Sequence, residues 1–453
     1  MSFDGLRIAL SSLDAQRRAL EITGQNVANV ATKGYSRQQI GLAANAGAVT
    51  PAIFAKATGI GQGVTADSIE RARDEFLQVR AGQEHSLGSN LDEIKSTLDR
   101  VEQAFAEPSD NGVGSQLADF LAGWDDVANK PGDIAARSQL VERGNTLAAG
   151  LSQIDTTLVG ISNNATEQLQ ASIVDVNATA ARIAQLNDQI RIANADGLSP
   201  NDLMDQRDLA ASELAASVGA TLRPQTDGTL DVYIGGTAMV RGTTSNDLQV
   251  NVAPPPAAVS ITWAKDGQPA AAAGQAGGLM TTVNDIVPRY RAAITSVATT
   301  IHDEVNNLHD PGYALDGTTT GNSFFIFDAT GALAVNPLIA ADPSLVQVAA
   351  ASGTAADGSV ASKIAALTGG QSAYRDLVVK LGVESQTATR RSDIQSDITA
   401  QVDSASDATS GVDVDEEMTN MLMYQHAYDA AARLMTTIDS TLDTLINHTG
   451  LLG

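Results

Sequence analysis

Apolar residues recur along this chain at alternating intervals of four and three, the spacing that keeps one seam of a helix facing a partner. Near the N-terminus the register is held by five residues: Leu6, Leu10, Leu13, Leu20 and Val27. A separate run near the C-terminus keeps the same spacing without a gap through Tyr424, Tyr428, Ala431, Met435, Ile438, Leu442 and Leu445. Because chain ends that fray lack such a pattern, we expect two terminal helices that pair with each other and keep apolar edges for neighbouring subunits.

Three further runs with this spacing lie inside the chain: Leu87 to Phe105, Leu147 to Ile190 with one phase slip, and Ile286 to Leu308. The middle run, if continuous, would extend about 65 Å at about 1.5 Å per residue. A turn-rich segment, Glu107 to Gly112, ends the first run, and a loop-like segment, Gly274 to Gly278, precedes the last. We expect these three helices to form an intramolecular core.

Between Val218 and Gln275 the apolar period changes to two, which is typical of strands. Asp227-Gly228 and Asp266-Gly267 are hairpin-type turns within this region. A second region, Gly312 to Gly370, is rich in small residues and predicts a short β excursion around the apolar cluster Phe324 to Phe327.

The pattern therefore predicts a mainly α protein, an elongated helical bundle or coiled coil built from both chain ends with a small inserted β domain. We expect terminal coiled-coil helices for assembly at 1–50 and 411–453. An elongated helical domain is expected at 51–216 and 277–410, and the inserted β domain at 217–276.

Composition and charge narrow the possible functions. With 28 Lys+Arg against 53 Asp+Glu the net charge is −25, which repels a phosphate backbone, so no nucleic-acid partner is expected. The sequence contains no run of 18 apolar residues, so no membrane span is expected. The chain has no cysteine, which excludes thiolate zinc sites and a Cys nucleophile. The segment Met1 to Arg7 has an early acid and no uninterrupted apolar core, so no cleaved secretory signal is expected.

Candidate chemistry is sparse. The histidines are scattered and fit no zinc motif, so packing or solvated roles are favoured for His85, His302, His309, His426 and His448. The densest acidic cluster is Asp413, Asp415, Glu416 and Glu417; we expect one of the aspartates to cap the last helix and the glutamates to favour its positive end. No Gly-x-Ser-x-Gly elbow is present. We therefore expect no enzyme activity, no cofactor and no metal.

The segment from Ala19 to Arg37, with the sequence ALEITGQNVANVATKGYSR, resembles the N-terminal signature shared by flagellar rod, hook and hook-associated proteins. In physical terms, Asn26 and Asn29 can end the helix and Gly34 permits the turn before Tyr35 and Arg37. The C-terminal segment, from GVDVDEEMTN at 411–420 to Leu445, is similar to the closing helix of the same axial proteins.

Interior stretches select one family within that class. EPSDNG at 107–112 with Phe120 and Trp124, NDLMDQRD at 201–208, and GGL at 277–279 followed by His309 and Phe324 resemble, in this order, the family of the first hook-associated protein (the FlgK family). The β insertion is small, and the additional outer domain of larger relatives is not expected.

This resemblance implies a structural component of the flagellum that joins hook to filament as a tubular junction layer. Implied partners are the hook protein, the next hook-associated protein on the filament side, further copies of the chain, and a cytoplasmic export chaperone on the C-terminal helix. The implied location is extracellular, after type III export without a cleaved signal. The candidate assembly residues are Leu6, Leu10, Leu13, Leu20, Asn26, Val27, Asn29, Gly34, Tyr35, Arg37, Tyr424, Tyr428, Met435, Ile438, Leu442 and Leu445.

Two alternatives remain open on the sequence. Another axial protein, such as hook protein, would share both terminal signatures. A secreted cell-wall or carbohydrate enzyme with coiled-coil ends would need a cleft with paired acids, and the sequence offers no evident pair.

Overall fold

The computed structural model describes residues 3–45, 61–253, 258–354 and 356–448. The expected boundary at residues 50 and 51 lies outside these ranges. The α-helices are α1 (Phe3–Ala28), α2 (Glu75–Phe105), α3 (Val113–Asn129), α4 (Ile134–Ala195), α5 (Asn201–Val218), α6 (Gly274–Thr281), α7 (Val287–His309), α8 (Pro337–Ala341), α9 (Ser359–Ala365), α10 (Gly369–Ser410) and α11 (Val414–Asp443). The mainly α fold expected from the sequence is confirmed.

Short strands lie between the helices: β1 (Gln38–Ala44), β2 (Val64–Arg71), β3 (Thr221–Pro224), β4 (Leu230–Ile234), β5 (Thr237–Arg241), β6 (Thr244–Ser245), β7 (Leu248–Val252), β8 (Val259–Trp263), β9 (Phe325–Phe327) and β10 (Leu333–Val335). All pairings are antiparallel, in the sheets β1-β2, β3-β4-β5-β6, β7-β8 and β9-β10. A π-helical turn, Thr282–Ile286, joins α6 to α7.

The chain divides into two compact units. Unit 1 comprises the described residues of Met1–His85, Val176–Asp247 and Asp397–Gly453. Unit 2 comprises those of Ser86–Asp175 and Leu248–Ser396. The boundaries fall within α2, α4 and α10.

Unit 1 is organised around its two terminal helices, which pack side by side in opposite directions. Gly5 near the start of α1 faces the Ile438 side chain near the end of α11. Arg37, beyond the other end of α1, bonds Glu417 in the first turn of α11. The paired terminal helices expected from the sequence are therefore present, and β1-β2, α5 and the β3–β6 sheet belong to the same unit.

Unit 2 contains an extended apolar core, to which the interior runs contribute. Leu98, Val101 and Phe105 of α2 pack in it with Leu147 to Ile161 of α4 and Tyr290 to Val305 of α7. The intramolecular assignment of these runs is thus confirmed. The excursion at 312–370 forms the β9-β10 hairpin and short helices, and Phe324 and Phe325 enter the same core.

Two details differ from the expectations. The strands expected in one inserted domain form separate sheets, with β3–β6 in unit 1 and β7-β8 in unit 2. The prediction of a loop at Gly274 to Gly278 is wrong, because these residues form the start of α6. A Cβ at Gly278 would lie 2.7 Å from Glu93 Cβ in α2, so glycine here permits close helix packing rather than a loop.

The core of unit 2 also buries polar groups. His309, at the end of α7, is fully buried, with Nδ1 2.8 Å from the Asn322 carbonyl and Nε2 accepting the Gln347 N–H at 2.8 Å. Arg137 is equally buried and donates to the carbonyls of Pro131 and Val346. Burial is the main cause that lowers the pKa of His309 to about 3, so the folded protein holds this imidazole neutral.

We predict that acid destabilises unit 2 partly through His309. In the unfolded chain its pKa is near 6.5, so from about pH 6.5 down to pH 3 only the unfolded state takes up a proton there, at about 1.4 kcal/mol per pH unit. Urea unfolding followed by tryptophan fluorescence reports unit 2, because both tryptophans, Trp124 and Trp263, lie in it. Between pH 6.5 and 4.5 the stability of His309→Gln should fall less steeply than that of the parent; equal slopes would contradict the assignment.

Candidate assembly site

The pairing of α1 with α11 uses different residue types on the two helices. On α1 the buried apolar positions are alanines, Ala9, Ala15 and Ala19. On α11 the half-buried positions follow the seam expected from the sequence, and they include Tyr424, Tyr428, Met435, Ile438 and Leu442. Small residues on one helix let the larger side chains of the other approach closely, so the C-terminal seam packs largely within its own chain.

The N-terminal leucines lie beside the buried alanine face rather than on it. At about 100° per residue, the mean direction of Leu6, Leu13, Leu20 and Val27 lies roughly a quarter turn from the mean direction of the alanines. These four side chains are half-buried, whereas Leu10 is 56% exposed. Leu445, the last residue of the expected C-terminal seam, lies beyond the end of α11 and is 50% exposed. The structure thus leaves an apolar edge on the paired helices.

Asn26 closes the end of α1. Its side chain is buried, and its Oδ1 accepts from the Gln38 N–H and the Tyr35 hydroxyl, each at 2.9 Å. Its Nδ2 donates to the Gln38 carbonyl at 2.9 Å. One asparagine therefore ties the last turn of α1 to the first residue of β1.

The segment between α1 and β1 turns through Gly34, whose φ of +81° favours glycine. A Cβ there would also lie 3.2 Å from Leu209 Cβ of α5. Asn29 is half-buried, and its side-chain oxygen accepts a hydrogen bond from the Thr32 hydroxyl at 3.1 Å. Burial, with Asp202, Asp205 and Glu417 nearby, raises the pKa of Tyr35 to about 12, so its hydroxyl stays protonated.

Arg37 links this segment to α11. Its Nε donates to Glu417 at 2.7 Å, and its two Nη atoms donate to the two oxygens of Glu416 at 3.1 and 2.6 Å. Its backbone N–H donates to the Ser410 carbonyl at 2.8 Å. Hydrogen bonds to Glu416 are the first cause that raises the pKa of Arg37. We call Arg37, Glu416 and Glu417 the arginine clamp.

A second ionic group lies behind the same segment. The Asp208 carboxylate of α5 accepts from Arg71, Arg73 and Arg207 at 2.5 to 3.0 Å. Asp205, one helical turn earlier, accepts from Arg71 at 2.8 Å and from the Ser36 N–H at 3.1 Å. These five charged side chains, which we call the aspartate cluster, are mostly buried, so each carboxylate compensates a guanidinium that is removed from water.

Sequence reasoning found the signature residues but not their partners. Glu416 and Glu417 were expected to favour the helix N-terminus, and they also bind Arg37. The expected cap is confirmed, because Asp413 accepts from the N–H groups of Asp415 and Glu416. The aspartate cluster was missed. A usable signal is the spacing of Asp202, Asp205 and Asp208, which places three acids along one face of a helix.

The contacts found at this site are hydrogen bonds and ion pairs that join elements of unit 1. Within the described ranges, no group of three or more metal-ligating side chains is arranged around a common point. None of the helices in those ranges is both long and apolar enough to cross a membrane. Clefts of about 450 and 260 Å³ flank the signature segment, the first between Gln38 and Asn201 and the second beside Tyr35 and Asp205.

Comparison with known families defines the class of protein. The flagella basal body rod protein model matches residues 6–35, and the C-terminal model of the flagellar basal body rod FlgEFG proteins matches residues 405–448. These matches cover α1 with its signature segment and α11, so the paired ends are those of a flagellar axial protein. The model of the helical domain of flagellar hook-associated protein FlgK matches residues 98–325, half of the chain. The chain belongs to the FlgK family of flagellar hook-associated proteins.

Individual relatives agree. The chain is 28% identical to flagellar hook-associated protein 1 of Bacillus subtilis, over 100% of this chain and 99% of that protein. The Salmonella typhimurium protein of the same name is 29% identical over 70% of this chain and 58% of its own length. Among solved structures, the flagellar hook junction protein FlgK from Burkholderia pseudomallei has a TM-score of 0.50 and 26% identity, over 55% of this chain and 47% of that one. The family expected from the sequence is confirmed.

We predict that Asp208→Asn strongly destabilises unit 1. The substitution keeps the shape of the side chain but leaves three buried arginines without that charge, a change that typically costs about 3–5 kcal/mol. The matched control is Asp202→Asn, because Asp202 is exposed and its one side-chain hydrogen bond among the described residues is accepted from Gln38 at 3.3 Å; it should cost about 0.5 kcal/mol or less. Hydrogen exchange of α5 amides, measured by mass spectrometry, reports the local stability. Similar protection in both variants would contradict a structural role for the cluster.

Proposed function

We propose that this chain forms a layer of the tubular structure that joins the flagellar hook to the filament. The observation that carries the proposal is the antiparallel pairing of both chain ends, which leaves the α1 leucines beside the buried face. A tube built head to tail needs surfaces that stay open in one subunit and are covered by the next. The exposed edge of the paired helices has this property.

The candidate residues then divide into three roles. One set shapes the segment between α1 and β1: Asn26, Asn29, Gly34, Tyr35 and Arg37. A second set packs the helix pair within one chain: Tyr424, Tyr428, Met435, Ile438 and Leu442. The third set would contact neighbouring subunits: Leu6, Leu10, Leu13, Leu20, Val27 and Leu445.

The expected partners follow from this placement in the flagellum. The hook protein would lie on one side of the layer and the next hook-associated protein on the other. Export would use the flagellar type III apparatus, and a cytoplasmic chaperone would cover α11 before export, because that helix presents exposed Met418, Leu422 and Leu434. The role is mechanical coupling without catalysis.

We predict that cells lacking the gene keep their hooks, lose their filaments and shed unattached flagellin. The reason is that the filament would have no layer on which to grow. Electron microscopy of the cells, with immunoblots of the medium for flagellin, measures both effects. Missing hooks would indicate a rod or hook role, and unchanged flagella would reject the junction role.

We further predict that Leu10→Asp and Ile438→Asp act differently. Leu10 is exposed, so its replacement should change the free energy of unfolding by about 0.5 kcal/mol or less, yet prevent filament attachment. Ile438 contacts Gly5 of the same chain, so its replacement should also destabilise the helix pair.

The control for the pair is Leu338→Asp, which changes a similarly exposed leucine in unit 2 and should leave filaments attached. Urea unfolding of the purified chains and microscopy of complemented deletion cells provide the two readouts. Normal filaments with Leu10→Asp would exclude the leucine edge from the subunit interface.

A further inference from the structure

Helix α11 is joined to the rest of unit 1 chiefly at its first turn. Of its 30 residues, Glu417 and Ala431 are the buried ones, and the seam residues that face α1 are half-buried. Among the described residues, the side-chain hydrogen bonds that connect α11 to another element are those of the arginine clamp. A helix attached in this way can separate from its neighbour at a lower free-energy cost than an element of a deep core.

The arginine of the clamp is held in place by contacts that do not involve α11. The Ser36 N–H donates to Asp205 of α5 at 3.1 Å, and the Gln38 N–H donates to Asn26 of α1 at 2.9 Å. Arg37 lies between these two anchored residues. Its side chain therefore starts from a fixed backbone position, whether or not α11 is packed on α1.

A short corner connects α10 to α11 and begins at Gly411, the residue after the end of α10. On the α10 side of this corner, the Ser410 carbonyl accepts the Arg37 N–H at 2.8 Å. On the α11 side, the Asp413 carboxylate caps the first turn of the helix. Helix α11 thus carries its own cap and does not need Arg37 to begin. Hinges in proteins are commonly a few residues of this kind, often small ones, between two rigid elements.

The balance between a packed and a separated α11 depends on the carboxylate of Glu417. Its side chain is 3% exposed when α11 lies on α1, so packing removes this charge from water. The Arg37 guanidinium compensates that cost, and its paired bonds to Glu416, which is 54% exposed, add a defined geometry. Without the guanidinium, packing of α11 would bury an unpaired carboxylate, whereas separation returns it to water. The clamp therefore decides which arrangement is the more stable.

We propose that the arginine clamp is a latch that holds α11 on α1, and that α11 moves away as a unit about the corner at Gly411 when the latch opens. The open helix presents its seam, together with the exposed Met418 and Leu422, to another protein. The export chaperone proposed above is such a protein, so this use of the latch rests on the proposed function.

The contacts also define when the latch closes. Because the Ser36 N–H is bound by Asp205, the backbone next to Arg37 reaches its position only after the N-terminal segment and α5 have packed together. Helix α11 consequently stays available to another protein until that part of unit 1 has folded. The latch thereby couples the docking of the last helix to the folding of the first segment.

Thiol labelling of the purified full chain tests the latch, because the natural chain has no cysteine. Ala431→Cys places a thiol on the buried side of α11, so a maleimide reagent reaches it only when the helix separates from its neighbour. Adding Arg37→Gln should raise the labelling rate by about tenfold or more, since packing then leaves the Glu417 carboxylate buried without its cation.

Two control positions distinguish release of α11 from unfolding of unit 1. Leu434→Cys lies on the exposed side of α11 and should react at the same rate with and without Arg37→Gln. Ala210→Cys is buried in α5 and should stay protected in both. An unchanged rate at Ala431→Cys would overturn the latch. An equal rise at Ala210→Cys would also overturn it, because α11 would then open only together with the rest of unit 1.

A second variant and the salt dependence identify the ionic character of the latch. Glu416→Gln alters α11 alone and should raise the labelling rate of Ala431→Cys by less than Arg37→Gln does. The rate ratio between Arg37→Gln and the parent should fall as NaCl is raised from about 0.05 M to about 0.5 M, because salt screens the exposed part of the clamp. A ratio independent of salt, or a larger effect of Glu416→Gln, would contradict an ionic latch.

These measurements use the purified chain and do not require the flagellum. Unchanged labelling rejects the latch and leaves the junction role intact. Unchanged flagella in cells lacking the gene reject the junction role, whatever the labelling rates are. The failure of the latch and the failure of the proposed function are therefore distinguishable.

Discussion

The arrangement of unit 1 depends on the ion pairs that the buried Asp208 carboxylate forms. This carboxylate accepts hydrogen bonds from three arginines: Arg71 and Arg73, at and just after the end of β2, and Arg207 of α5. Through Arg71 it is joined to Asp205, which holds the Ser36 N–H. The next residue along the chain, Arg37, binds α11. Segments from four distant parts of the sequence are thus fixed to one another by a few buried charges. Because a buried guanidinium without a carboxylate is costly, the cluster favours one arrangement over others.

That arrangement determines which surfaces the terminal helices present. Alanines on α1 permit close contact with α11, and the larger side chains of the α11 seam fill the space. The leucines of α1 are consequently left at the edge of the pair, although they, and not the alanines, follow the four-three spacing that the sequence shows. A seam with heptad spacing can face either its own chain or a neighbour, and the two terminal seams differ in this respect.

The sequence predicted the helices well because their apolar period and their end signals are local. The end of α1 near Asn26, the turn at Gly34 and the cap at Asp413 are examples of local chemistry. The aspartate cluster could not be predicted with equal ease, because Arg71 and Arg73 are more than 100 residues from the α5 members and meet them only in the folded chain. The α6 glycines were misread for a related reason. Gly278 lets the Glu93 side chain of α2 approach closely, and a sequence pattern does not show which residue of another helix will lie nearby.

Charge also limits how two copies of this chain can meet. With 25 excess negative charges, two copies of this chain repel each other in most orientations. The exposed bases of α10 do not change this background, because Arg375 is followed by the exposed Asp376 and Arg391 is two residues from the exposed Asp393. The apolar edge of the terminal helices offers contact area to a neighbouring subunit, but apolar contact is non-directional and fixes the orientation of that subunit only weakly. In the proposed assembly the apolar edge has to outweigh this repulsion, and an array that holds many subunits together lets it do so although the contact is weak in a free pair.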